Sequence, residues 1–197
     1  QGCDVSLFDK KLIQSLPEDF DKIPRPIIGY IGAIFSLRLD VDVLIHIATK
    51  KPDWQIVLVG PEDEVFKQSK LHDLPNVWFL GSKKMEELPQ YLMAFDVAIN
   101  PQKLNEVTIG NYPRKIDEYL AMGKPTVATR TKAMEVFEDY TYLAETKEQY
   151  VEMIEKALIE NNTELEKGRE EFARSHTWTN NVEEIYKQIV LHLQQPK

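Results

Sequence analysis

One cysteine, Cys3, stands in 197 residues. A lone thiol closes no internal disulfide and sets no metal site. Its presence fits a reducing compartment, and the chain is expected in the cytoplasm. Histidine is scarce too. His46, His72, His176 and His192 are scattered without metal-ligand spacing, so packing is the plainer reading of each, and no metal or other cofactor is expected. Basic residues are in the minority, 24 Lys and Arg against 32 Asp and Glu, for a net charge of −8. That balance excludes broad nucleic-acid binding, which needs a basic face. An anionic ligand would instead need a local cluster of cations and backbone N–H groups. No apolar run approaches the roughly 20 residues that span a bilayer, and no signal-peptide pattern opens the chain. The chain begins at Gln1 rather than Met, as a processed product or a cut fragment would.

What remains is an ordinary globular composition, 43% hydrophobic and 28% charged. Residues 1–25 lack periodicity and carry Pro17 and Pro24 among Glu18, Asp19 and Asp21. They read as an extended connector, which implies something before it, with one domain over 26–197. From there the pattern is regular. Short continuous apolar runs at 27–31, 55–59, 77–80, 97–99 and 126–128 read as buried strands, with a sixth at 140–143. Helical spacing falls at 40–50, 62–70, 85–95 and 113–122, then at 147–159, 163–175 and 180–193. Alternation of this kind predicts an α/β fold, a doubly wound and mostly parallel sheet of about six strands with C-terminal helices. Such sheets bind ligands outside the carboxyl ends of their strands, which directs attention to the loops at Gly32, Gly60, Gly81-Ser82, Pro101 and Thr129.

One helix, 113–122, is unusual. Pro113 suits its first position, Asn111 lies where it could cap, and Gly123 with Pro125 forms a stop signal. Its first turn nevertheless carries Arg114 and Lys115. A helix N-terminus favours acidic residues by roughly 0.3–1 kcal/mol each, so two cations there oppose the dipole unless an anion sits at that end. Gly110 and Asn111 would let backbone approach such a ligand. Glu118 follows Lys115 by three residues and Arg114 by four, on one face. Two readings are open. Either Glu118 pairs with those cations on a solvated surface, or it accepts hydroxyls from a diol one turn away from a bound phosphate, as in a nucleotide diphosphate.

The run from Glu118 to Thr129, Glu-Tyr-Leu-Ala-Met-Gly-Lys-Pro-Thr-Val-Ala-Thr, resembles the signature of GT-B glycosyltransferases of the retaining "glycosyl transferases group 1" type. Gly29-Tyr-Ile-Gly-Ala-Ile34 resembles their glycine-rich first loop. Trp54–Pro61, Asn76–Gly81 and Phe95–Pro101 resemble later strands in order, and Gly2–Phe8 resembles the connector between the two halves of such enzymes. In that family this half binds the nucleotide-sugar and an N-terminal half binds the acceptor. The resemblance therefore implies a UDP- or GDP-sugar donor, an N-terminal acceptor-binding domain absent from this chain, and a role in surface polysaccharide biosynthesis, with peripheral membrane association possible through the parent chain. Glu118 would bind the ribose and residues 110–115 the diphosphate. Leu80, Gly81 and Ser82 would border the base, and the loop from Gly32 and Ala33 to Arg38 would cover the phosphates and sugar. No general base is assigned; Arg38, Arg114 and Lys115 are the candidates for stabilising the leaving diphosphate, and the 197 residues alone are expected to be inactive. Two departures stand out. Gly110 occupies the place of the family's first glutamate, with Glu106 out of register, and Ala33 stands where many relatives have Arg. A GT-B-type nucleotide-sugar epimerase would need cleft carboxylates and histidines that are not evident, and a non-catalytic nucleotide-sugar-binding module is the third reading.

Overall fold

The computed structural model describes residues 6–176 together with Val182, Tyr186 and Lys187. Six strands form one sheet: β1 (Ile27–Ile31), β2 (Gln55–Val59), β3 (Val77–Gly81), β4 (Val97–Asn100), β5 (Thr126–Thr129) and β6 (Tyr142–Ala144). Their order is β3-β2-β1-β4-β5-β6, and every pairing is parallel. The six-stranded α/β sheet expected from the sequence is therefore present. The apolar runs become strands because both faces are covered. Along β1 and β2, Ile27, Ile31, Val57 and Val59 enter one core while Ile28, Tyr30, Ile56 and Leu58 enter the other.

Helices α1 (Val41–Lys50) and α5 (Lys147–Glu160) cover one face, contributing Leu44, Ile47, Tyr150 and Ile154. Helices α3 (Leu88–Ala94), α4 (Arg114–Ala121) and α6 (Thr163–Ser175) cover the other, with Leu92, Ile116, Leu120 and Ala173. Asp40 caps α1 rather than opening it, accepting from the N–H groups of Asp42 and Val43. The helix expected over 62–70 shrinks to α2 (Glu64–Lys67) and a separate 3-10 turn at Lys70–Asp73. Asp63 is drawn into capping α2 and into binding the Ser36 backbone and hydroxyl. Glu62 is held in a bridge with Ile34. The 85–95 helix opens as a 3-10 turn at Met85–Glu87 before α3.

The amino-terminal segment is less extended than its sequence suggested. It makes 3-10 turns at Lys10–Leu12 and Glu18–Phe20, and buries Phe8, Phe20 and Ile23 in the α3/α4 core. Asp19 binds the Lys83 ammonium at 2.7 Å, which occupies that lysine. Of the helix expected at 180–193, only Val182, Tyr186 and Lys187 are described, each in helical conformation; Trp178, His192 and Cys3 lie outside the described residues. No helix among the described residues is long and apolar enough to cross a membrane.

The carboxyl ends of β1, β2 and β3 nest closely. Gly32 donates to the Val59 carbonyl and Gly60 to the Gly81 carbonyl, each at 2.9 Å. Gly60 has φ +149°, and a β-carbon there would lie 1.9 Å from the Gly32 carbonyl oxygen. Gly60→Ala is expected to remove about 2 kcal/mol of stability, because backbone rather than a flexible side chain must move. Urea unfolding would report it as a lower midpoint at constant slope.

Candidate functional site

The strand order reverses between β1 and β4, and there the two following loops, 32–40 and 101–113, run to either side of a cleft of about 420 Å³. Cross-loop bonds make its walls one unit. Asp40 donates to the Pro101 carbonyl at 2.8 Å, Lys103 to the Arg38 carbonyl at 2.9 Å, and the Asn105 amide to the Leu37 carbonyl at 2.7 Å. Thr108, almost fully buried, takes the Asn105 N–H at 3.1 Å and donates to the Lys103 carbonyl, folding the second loop on itself.

The cleft brings together Gly32, Arg38, Asn111, Arg114, Lys115 and Glu118. Ala33, Leu80, Gly81, Ser82 and Gly110 do not line it. Ala33 contributes its carbonyl to a bond from the Tyr30 hydroxyl at 3.1 Å. Leu80 and Gly81 end β3, two strands from β1, with Ser82 following. Gly110 is exposed with nothing within 4 Å of the place a β-carbon would occupy, and Glu106 is exposed as well.

Helix α4 forms the deep wall. It starts at Arg114, with Pro113 at the cap position and no side chain capping it; Asn111 is exposed and turns the loop through its N–H to the Thr108 carbonyl at 3.0 Å. Gly123 at φ +70° ends the helix in the left-handed conformation that its sequence signalled. The Tyr119 hydroxyl, on the inner side of α4, accepts from the Ile31 N–H at 3.0 Å and donates to the Ile31 carbonyl at 3.3 Å, fastening the helix to the end of β1.

Two side chains define the electrostatics. The Lys115 ammonium sits 4.7 Å from the centre of the Tyr30 ring and donates to its hydroxyl at 3.1 Å, which in turn holds Ala33. One α4 cation is thereby locked against the glycine-rich loop. Glu118 is half-buried and, among the described residues, its side chain makes no hydrogen bond and no ion pair with Arg114 or Lys115. The surface-pair reading of Glu118 therefore fails. Burial raises its pKa above the usual glutamate value, with Arg114 and Lys115 pulling it back down. A carboxylate kept partly out of water with its oxygens unmatched beside two cations has acceptor capacity left over for further donors.

Sequence reasoning missed Tyr30, Tyr112 and Asp117. Asp117 lies three and four residues before Leu120 and Ala121, so helical spacing did place it on the inner side of α4; it is completely buried.

The model of the family described as glycosyl transferases group 1 matches residues 25–160. A putative teichuronic acid biosynthesis glycosyltransferase, TuaH, of Bacillus subtilis (strain 168) is 33% identical over 161 residues, 77% of this chain and 40% of that protein. Among solved structures, Anabaena Alr3699/HepE in complex with UDP and glucose superposes with a TM-score of 0.69 at 20% identity, over 100% of this chain and 56% of that one. A glycosyltransferase from Rickettsia africae ESF-5 superposes at 0.75 and 18% identity, over 96% and 56%. The chain thus spans about half the length of the proteins it matches.

Proposed function

The chain belongs to the glycosyl transferases group 1 family, and from that membership we propose that it is the donor-binding part of an enzyme moving a sugar from UDP- or GDP-sugar to an acceptor, with retention, in surface polysaccharide assembly. The observation that carries this is Glu118, half-buried and unpaired among the described residues, one helical turn from Arg114 and Lys115 in the cleft at the β1/β4 reversal. The ribose diol donates to Glu118, and the diphosphate lies against Arg114, Lys115 and the backbone at the start of α4. Base and sugar extend to either side, the base toward the end of β3. HepE, solved with UDP and glucose on the same fold, and TuaH, named for teichuronic acid biosynthesis, support the donor class and the setting.

The chemistry asked of these residues is positioning and charge stabilisation. Arg38, Arg114 and Lys115 neutralise the leaving diphosphate, and the donor phosphate guides the acceptor to the same face. Phe35, Leu37, Leu104, Val107 and Ile109 stand exposed on the two loops that border the cleft. In the parent protein an acceptor-binding half covers them, so these residues alone bind donor without turning it over. The parent works in the cytoplasm, peripherally associated with the membrane where its acceptor is assembled.

Calorimetry of the chain with UDP and GDP tests the reading. Micromolar to sub-millimolar binding of one nucleotide is expected; no heat at millimolar nucleotide sinks it. Lys115→Met is expected to weaken that binding about fivefold, the effect of one partly exposed charge worth about 1 kcal/mol. An unchanged dissociation constant would remove Lys115 from the diphosphate site.

A further inference from the structure

Beneath the cleft lies a second arrangement that the donor contacts do not use. Asp117 is wholly buried on α4, facing α6. Its Oδ2 accepts from the Tyr112 hydroxyl at 2.8 Å. Among the described residues its Oδ1 has no hydrogen-bond partner, and neither does the His176 Nδ1 that stands 3.7 Å away at the end of α6. Around them Tyr112 packs on Phe137 with ring centres 5.5 Å apart, and Phe137 meets His176 edge-on at 6.2 Å. Ile116, Tyr119 and Leu120 of the same helix are buried apolar or aromatic neighbours, so simple packing would call for an apolar residue at 117 as well. A half-matched buried carboxylate is costly to keep.

What the carboxylate holds is Tyr112. That residue sits between Asn111 and Pro113, lines the cleft with them, and closely precedes Arg114. The turn's backbone bonds are local: Asn111 N–H to the Thr108 carbonyl and Arg114 N–H to the Tyr112 carbonyl. The Tyr112 hydroxyl reaches into the interior instead. Resting on the donor-binding reading above, we propose that Asp117 is a positioning residue: it touches no donor atom, but by clasping Tyr112 it fixes the 111–113 turn and so the placement of Arg114 and Lys115 over the diphosphate.

The test compares wild type with Asp117→Ala, Tyr112→Phe, the double variant and Asp117→Asn, by UDP calorimetry and by hydrogen exchange of residues 108–116. Asp117→Ala and Tyr112→Phe are each expected to weaken UDP about tenfold. The double variant should be no worse than the weaker single, because both remove one bond. Asp117→Asn, whose amide oxygen still accepts from Tyr112, should recover most of the loss suffered by the alanine variant. Exchange in 108–116 should quicken about tenfold in Asp117→Ala and Tyr112→Phe while the central strands keep wild-type rates. Wild-type UDP affinity in Tyr112→Phe, or additive losses in the double variant, would overturn the proposal. If wild type binds neither UDP nor GDP, the donor reading falls separately, and exchange decides this one: unchanged rates in 108–116 reject the clasp and faster rates uphold it.

Discussion

Glu118→Ala is expected to weaken UDP or GDP binding about 10- to 100-fold and to leave the melting temperature unchanged or slightly higher. The two halves of that expectation share a cause. The Glu118 side chain gives the fold no hydrogen bond and no ion pair among the described residues, while burial raises its pKa. Removing the carboxylate relieves a desolvation cost and breaks no hydrogen bond or ion pair of the fold. With nucleotide bound, two hydroxyls donating to one carboxylate are worth roughly 1.5–3 kcal/mol, which sets the fold-change. Glu118→Gln keeps an acceptor but loses the charge, and should fall between the two. Nucleotide titrations and thermal scans on the same preparations check both halves. A variant that loses stability and affinity together would mean Glu118 is structural.

The second large effect concerns stability and pH. Burial pushes the Asp117 carboxyl up from 3.8 to about 6, against the hydrogen bond from Tyr112 and the nearby charge of Arg114, both of which favour ionisation. The folded-state pKa lies above the unfolded one. The unfolded chain therefore loses this proton first, and the associated stability, complete below about pH 4, drains away as pH rises to about 6. At pH 7 the cost stands at about 3 kcal/mol, since each pH unit separating the two pKa values is worth roughly 1.36 kcal/mol. That exceeds the roughly 0.3–1 kcal/mol an acidic residue gains from the first turn of a helix. Asp117→Asn is thus expected to be more stable than wild type by up to about 3 kcal/mol at pH 7, or about 6–12 °C in melting temperature. The advantage should shrink to nothing by pH 4. His176, whose pKa burial lowers, pushes stability the other way over part of this range, but it is present in both proteins and largely cancels in the difference. A pH-independent difference, or a less stable Asn variant, would show that Asp117 is not held at a cost.

The legibility of this chain divides along physical lines. Strands β1 to β5 could be read to within a residue or so because each is a short apolar run with both faces covered. The positions of Arg114, Lys115 and Glu118 on one helix followed from spacing alone, and the stop at Gly123 from its conformational freedom. Spacing could not decide between a surface pair and an open site, because that depends on Tyr30, 85 residues from Lys115, which takes the lysine for itself. Asp117 was hidden for a related reason. An acidic residue in a first helical turn reads as favourable to the dipole, which masked the spacing that sets Asp117 on the inner side of α4, where α6 packs over it. The 62–70 helix was shortened by Asp63 and Glu62, whose partners Ser36 and Ile34 lie on another loop. Residues before 25 looked like a bare connector because Phe8, Phe20 and Ile23 are too widely spaced to show a period, yet the same core takes all three.

The location of the donor is tested most directly by titrating UDP into 15N-labelled protein and mapping the amide shifts. They should concentrate at Gly32, Asn111, Arg114, Lys115 and Glu118, saturate together, and need about 10- to 100-fold more UDP to do so in Glu118→Ala. Shifts gathered instead around Tyr140, Tyr142 and Arg169, which line a separate cavity of about 370 Å³ beside β6, would place the nucleotide elsewhere and contradict the assignment of the β1/β4 cleft.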